Sequence, residues 1–192
     1  MTPENGCGIT REQALDLLKA HIKNEKTFQH CLASEAIMRA LARRFGQDEE
    51  LWGLAGLLHD LDYELVDGDP ARHGAEARRI LDEKGACAAL GGVIEKHNAE
   101  CLGQARESVF EHALTCAETI TGMIVATALV YPDKKLSSVA PKSITKRMNT
   151  AHFARAVSRE RIAECEKIGI PLAEFAALGL AAMLPIAAEL GL

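Results

Sequence analysis

Apolar residues recur at spacings of three and four along most of the chain, and only helices can bury a pattern of that period along one face. Phe28, Leu32, Ala36, Ile37, Ala40, Leu41 and Phe45 make one such stripe. It stops at Gly46, a residue suited to the left-handed turn that follows a helix. Before it, a Thr10-X-X-Gln13 capping box opens a helix that Ala14, Leu15 and Leu18 carry to about Ile22. After it, Asp48 can cap a third helix through Leu51, Leu54, Ala55, Leu57 and Leu58, ending near His59 and Asp60. Pro70 suits the first turn of a fourth, carrying His73, Ala77, Ile80 and Leu81 to Gly85, and a short fifth follows from Cys87 to His97. A second box, Ser108-X-X-Glu111, opens a sixth with Phe110, Ala113, Leu114, Ala117 and Ile120 on one face. Gly122 is expected to bend it, and Tyr131-Pro132 to end it. Two last helices are expected over 158–168 and 172–190, with a kink at Pro185.

Composition agrees with an all-α protein, because 31 alanines accompany only 4% aromatic residues, a balance that favours helix over sheet. With 192 residues and neither a repeat nor a low-complexity linker, a single domain is expected, its core over about 26–130 and a C-terminal helical cap over about 141–192. The net charge of -5 argues against a protein built to lie on a nucleic-acid duplex. No apolar stretch reads as long enough for a membrane span, the longest uncharged one being 119–132. Residues 1–8 lack the basic-then-apolar pattern of a leader, and the six cysteines include no Cys-X-X-Cys pair, so reduced thiols and a cytoplasmic location are expected. Cys31 and Cys116 read as small core residues. The apolar tracts 125–130 and 175–190 read as core, either of which could also be an oligomer face.

The residues with chemistry are His30, His59, Asp60, His73, His97 and Glu118, spread over separate helical segments with His59 and Asp60 side by side on one of them. Any single histidine has an ordinary explanation as a core or surface residue. Together, four imidazoles and two carboxylates suit one or two divalent transition metals, of Fe, Mn, Co, Ni or Zn. Two such ions with two carboxylates leave a net positive centre, which matches a phosphorylated substrate.

The run Leu54-Ala55-Gly56-Leu57-Leu58-His59-Asp60-Leu61-Asp62-Tyr63-Glu64 resembles the signature of the HD-domain superfamily of metal-dependent phosphohydrolases. The remaining pattern follows in order: His30 upstream, then Arg72-His73-Gly74, Lys96-His97-Asn98 and Ala117-Glu118-Thr119-Ile120-Thr121-Gly122. The tail, from Arg159-Glu160-Arg161-Ile162 to Glu174-Phe175, is similar to that of stand-alone bacterial HD proteins of the HDIG type. The resemblance implies a compact HD-type helical bundle. It further implies that His30, His59, Asp60 and the late acidic residue hold one metal, that His73 and His97 hold a second, and that Asp60 bridges the two. A water between the ions would then attack the phosphoryl group. One departure is plain: Glu118 stands where the family has Asp, with a carboxylate that reaches roughly 1.5 Å further and could ligate through one oxygen or both.

Asp62 and Glu64 are candidates for supporting the ligands or transferring a proton; the alternative for both is a solvated place in an acidic turn. Arg72, Lys96, Lys142, Lys146 and Arg147 could hold substrate phosphates, and Asn98 could orient a ligand or touch substrate; solvated surface and a helix-end turn are the competing readings. Three functions follow for such a chain: a phosphohydrolase acting on a small molecule such as a nucleotide, a diiron oxygenase on the same fold, or a regulatory module that has lost its catalysis.

Overall fold

The computed structural model describes residues 6–192, and among them every regular element is helical. The all-α expectation is met. Part of the N-terminal stretch read for a leader, residues 1–5, lies outside the described residues. Helix α1 spans Arg11–His21 behind the Thr10–Gln13 box, with both reciprocal bonds made. Helix α2, Glu25–Phe45, is capped by the Asn24 side chain and ends at Gly46 in the left-handed conformation. Asp48 caps α3, Glu49–Leu58.

These two helices pack face to face, because Gly56 leaves no side chain between them: a Cβ there would lie 2.6 Å from the Ser34 carbonyl oxygen. Ile37, Leu41, Leu54, Leu57 and Leu58 are fully buried at this contact, each contributing roughly 1.5–3 kcal/mol by leaving water. Helices α4 (Ala75–Glu83) and α5 (Ala88–Lys96) form a second pair.

The central element is α6, Val109–Leu129, which buries Ala113, Leu114, Ala117, Ile120 and Ile124. It runs without interruption through Gly122. Gly122 serves packing, since a Cβ on it would lie 3.0 Å from the Val157 side chain. Being unbroken, α6 is also long and apolar enough to cross a bilayer, contrary to the count from the shorter tract. Most of it is buried inside the fold, as in the core helix of a globular bundle.

Toward the C-terminus, α7 (Pro141–Met148), α8 (Arg159–Ala163) and α9 (Leu172–Met183) pack against α6, and α9 also against α2. Helix α7 was not expected in this basic stretch; only Ile144 and Met148 are buried on it, too few apolar positions to reveal a period. The helix expected over 158–168 tightens into a 3-10 turn at Glu164–Ile168. The one expected to reach 190 ends at Met183, because Pro185 cannot donate the next hydrogen bond.

Candidate metal centre

Five segments meet at one place near the middle of α6. Helix α2 brings His30, the turn after α3 brings His59 and Asp60, the turn before α4 brings His73, the end of α5 brings His97, and α6 brings Glu118. The fourth helix was expected to start at Pro70 and carry His73; it starts at Ala75, and His73 stands in the turns before it. The cause is Asp62. Its fully buried carboxylate accepts from the Gly74 and Ala77 amides at 2.8 and 2.9 Å, capping α4 from a distant turn, and its other oxygen accepts from His73 Nδ1 at 2.8 Å.

Every histidine of the group is anchored in the same sense. His59 Nδ1 donates to the Gly56 carbonyl at 2.9 Å, and His97 Nδ1 to that of Ile94, each three residues earlier on its own helix. His30 Nδ1 meets Thr121 Oγ1 at 2.8 Å, and since that hydroxyl donates its proton to the Glu118 carbonyl at 2.6 Å, its oxygen accepts from the imidazole. With Nδ1 bearing the proton in all four, a neutral ring turns an Nε2 lone pair inward. Those inward atoms stand in two pairs, His30 with His59 at 3.0 Å and His73 with His97 at 2.9 Å.

Two lone pairs facing each other at such a distance repel unless a proton is shared between them or a metal cation lies between or beside them. Two nitrogens each about 2.1 Å from one ion, at right angles around it, stand roughly 3.0 Å apart. The residues present therefore fit a metal ion at each pair. Asp60 serves both: Oδ2 is 3.6 and 3.5 Å from the Nε2 atoms of His30 and His59, and Oδ1 is 3.3 and 4.0 Å from those of His73 and His97. The two three-residue groups able to hold a metal ion share it.

The electrostatics favour cations. Burial alone would raise the pKa of Asp60, but His59, His73 and His30 outweigh it and keep the carboxyl ionised well below its usual range. His30 and His97 are pushed down, by burial first and by neighbouring imidazoles second, so both are held neutral with their lone pairs available. At His73 burial acts downward too, but hydrogen bonds to Asp60 and Asp62 prevail and lift it to about 10, the same field that favours a cation at Nε2.

Glu118 lies beside the first pair. Its Oε2 is 3.8 Å from His30 Nε2, while Oε1 accepts from Thr119 Oγ1 at 2.5 Å and lies 3.4 Å from Arg161 Nη2. One oxygen thus faces the centre and the other is engaged, an arrangement suited to single-oxygen ligation; ligation through both would require Thr119 and Arg161 to let go.

Of the other residues singled out in the sequence, the structure brings Asp62 and Asn98 to the support of the site. Asn98 donates to the Pro70 and His73 carbonyls at 2.8 and 3.0 Å, holding the turn that carries His73. Glu64 is placed elsewhere: its carboxylate accepts from the Lys23 and Asn24 amides just before α2, so in place of proton transfer it makes a latch between turns. Lys96 is paired with Glu111 at 3.0 Å, and Arg72 is exposed at the surface. Lys142 and Lys146 are exposed on α7, and the Arg147 guanidinium lies over the Tyr131 and Phe153 rings at 5.8 and 5.5 Å. Tyr131 follows the end of α6, and Leu129 at that end is about 16 Å along the helix from Glu118, so Arg147 does not share the centre.

Arg161 of α8 was missed as a functional residue. It donates to the His97 carbonyl as well as facing Glu118, and its buried Nε has no hydrogen-bond partner. Thr121 and Tyr63 were also missed; the Tyr63 ring stands edge-on to His73 with centroids 5.6 Å apart. For Thr121 the signal was present, one helical turn after Glu118. For Arg161 spacing gave none, since it lies 43 positions beyond Glu118 and is brought in by the fold alone.

The family model for the HD domain matches residues 27–128, just over half of the chain and all six clustered residues. The chain belongs to the HD-domain family. HD domains hold divalent metals, and the family places the chain within a superfamily of metal-dependent hydrolases. Comparisons with curated proteins and with solved structures each gave no match. The match ends before α7, so the C-terminal helices lie outside it.

Proposed function

We propose that this HD-domain chain is a phosphohydrolase that uses one or two divalent ions, of Fe, Mn, Co, Ni or Zn, to direct water at the phosphoryl group of a small phosphorylated molecule such as a nucleotide. The observation that carries this reading is the arrangement of four histidines, each anchored outward through Nδ1 and turned inward through Nε2, about one ionised carboxylate. His30, His59 and Glu118 would hold one ion, His73 and His97 the other, and Asp60 both. Bound there, divalent ions lower the pKa of a water toward neutrality and polarise phosphoryl oxygens.

The chain's own residues supply the rest. Asp62 and Asn98 fix His73 and its turn, so the second pair keeps its spacing. Asp60 stays ionised at neutral pH and orients both histidine pairs. Arg161 stands where a non-bridging phosphoryl oxygen would meet a guanidinium, a role expected from the sequence for Arg72, Lys96 and the basic residues of α7.

The test is metal content per chain, by mass spectrometry on protein purified without chelator or nickel resin, followed by phosphate release without oxygen. Two equivalents of metal with anaerobic phosphate release uphold the reading. Iron-dependent oxygen uptake with an organic substrate and no phosphate release would move the chain to oxygenase chemistry, and failure to take up any metal would make it a regulatory module.

A further inference from the structure

A cleft of about 530 Å³ opens beside the histidine cluster, between α2, α6 and the segment around Leu190. Its inner end is His30 and Thr121, the pair that anchors one edge of the cluster. Its apolar lining is Ala33, Val125, Ala126, Leu129 and Leu190, and Glu25, Lys26 and Gln29, in the turns of α2 just before His30, add polar side chains to it. From Thr121 to Leu129 the wall rises about 12 Å along α6. Leu129 is 50% exposed, an apolar side chain left to water at the outer end of an apolar channel. A cleft of this size, apolar along its sides and joined at one end to a polar centre, is the usual form of a small-molecule site.

We infer that this cleft takes the body of the substrate, and that the substrate is a phosphate ester with an apolar group of roughly eight carbon atoms. The inference rests on the phosphohydrolase reading for the anionic end and on the cleft for the rest. His30 is the residue the cluster and the cleft share, so with the phosphoryl group at the cluster the rest of the ester would pass His30 to enter the cleft. Beyond Thr121 the α6 wall, Val125, Ala126 and Leu129, offers neither donor nor acceptor side chains, so a sugar lying against it would lose hydrogen bonds to water without replacement, whereas an alkyl or aryl group gains by leaving water. Charge complementarity fixes the direction, anion inward and apolar tail outward.

The experiment is calorimetric titration of manganese-loaded protein with methylphosphonate and with octylphosphonate, in the unaltered chain and in Ala126→Trp, which fills the channel from a half-exposed position. Octylphosphonate is expected to bind about a hundredfold more tightly, about half, on a logarithmic scale, of what full burial of seven added methylenes would give. Ala126→Trp removes the difference. Equal binding of the two ligands by the unaltered chain overturns the inference and leaves the phosphohydrolase reading intact. Octylphosphonate bound equally well with and without manganese, and lost in Ala126→Trp, upholds the cleft while removing the metal–phosphate contact. A dimer in sedimentation that Ala126→Trp dissolves gives the cleft to a second copy of the chain and overturns the inference. Val125→Asp, at another half-exposed wall position, repeats the test should the tryptophan variant not fold.

Discussion

Two buried clusters of charge lie on either side of the end of α5, and they are built on opposite plans. Around Glu164 every charge has an opposite partner: its carboxylate accepts from Arg106 at 2.9 and 3.0 Å and from His112 at 2.8 Å, and Arg106 also binds the Lys96 and His97 carbonyls. Around Asp60 four imidazoles share one carboxylate, with Glu118 beside the first pair and Asp62 behind His73, and those imidazoles meet nitrogen to nitrogen. The first cluster is complete without a ligand and serves to hold the C-terminal helices and the end of α5 in place. The second is over-supplied with lone pairs, and such a deficit persists in a folded core where a bound group makes it good. His97 belongs to both, its ring in the second and its carbonyl in the first, so the complete network fixes the backbone from which the incomplete one is built.

The contrast can be broken at several points. Asp60→Asn takes away the one carboxylate shared by both histidine pairs; phosphate release is expected to fall about 10³-fold, several kcal/mol of transition-state stabilisation, and metal content to drop with it. Phosphate release and mass spectrometry check this, with circular dichroism showing the fold retained. Glu164→Ala should do the reverse, leaving metal content in place at low temperature while stability falls by about 2 kcal/mol, because buried Arg106 and His112 lose the carboxylate between them and Arg106 keeps only the exposed Glu100 as an acidic partner. Urea denaturation reads that change.

Acid acts on the same network. Burial by itself would raise the Glu164 pKa, but Arg106 and His112 hold it below its ordinary value of 4.5. Its contribution to stability is thus full above 4.5 and is lost as the pH falls through the lower folded value. The denaturation midpoint of the unaltered chain should therefore fall toward that of Glu164→Ala as the medium is acidified.

Arg161→Ala sharpens the comparison, since this residue touches the second cluster without belonging to the ligand set. A loss of about 10- to 100-fold in kcat/KM is expected with two equivalents of metal retained, as for one charge-assisted hydrogen bond. Asp62→Asn should instead weaken metal affinity by about 10- to 100-fold, because the anchor behind His73 is altered. Competition with a metal-binding dye separates the two variants. The smallest effect is expected from Glu64→Ala, within about twofold in kcat, since its carboxylate binds backbone amides away from the centre.

Much of the fold was legible because helix signals are local. The Thr10 and Ser108 boxes, the Asp48 cap and the Gly46 stop act within a turn of themselves, and the structure has a helix at each. Signals failed where a distant group intervened. The fourth helix begins five residues after Pro70 because Asp62, from another turn, holds Gly74 and Ala77. Gly122, inside an unbroken α6, answers to the close approach of Val157 from the C-terminal part of the chain.

The sequence by itself determined the helices, the family and the six residues with metal-binding chemistry, since these depend on residue type and on spacing along the chain. Only the tertiary structure decided how those residues face one another: that each Nδ1 is tied outward, that Asp60 stands between two pairs, that Arg161 arrives from the far end of the chain, and that an apolar cleft opens beside His30. The physical reason is that a hydrogen bond or a lone pair has direction, and direction between residues far apart in sequence exists only once the helices have packed.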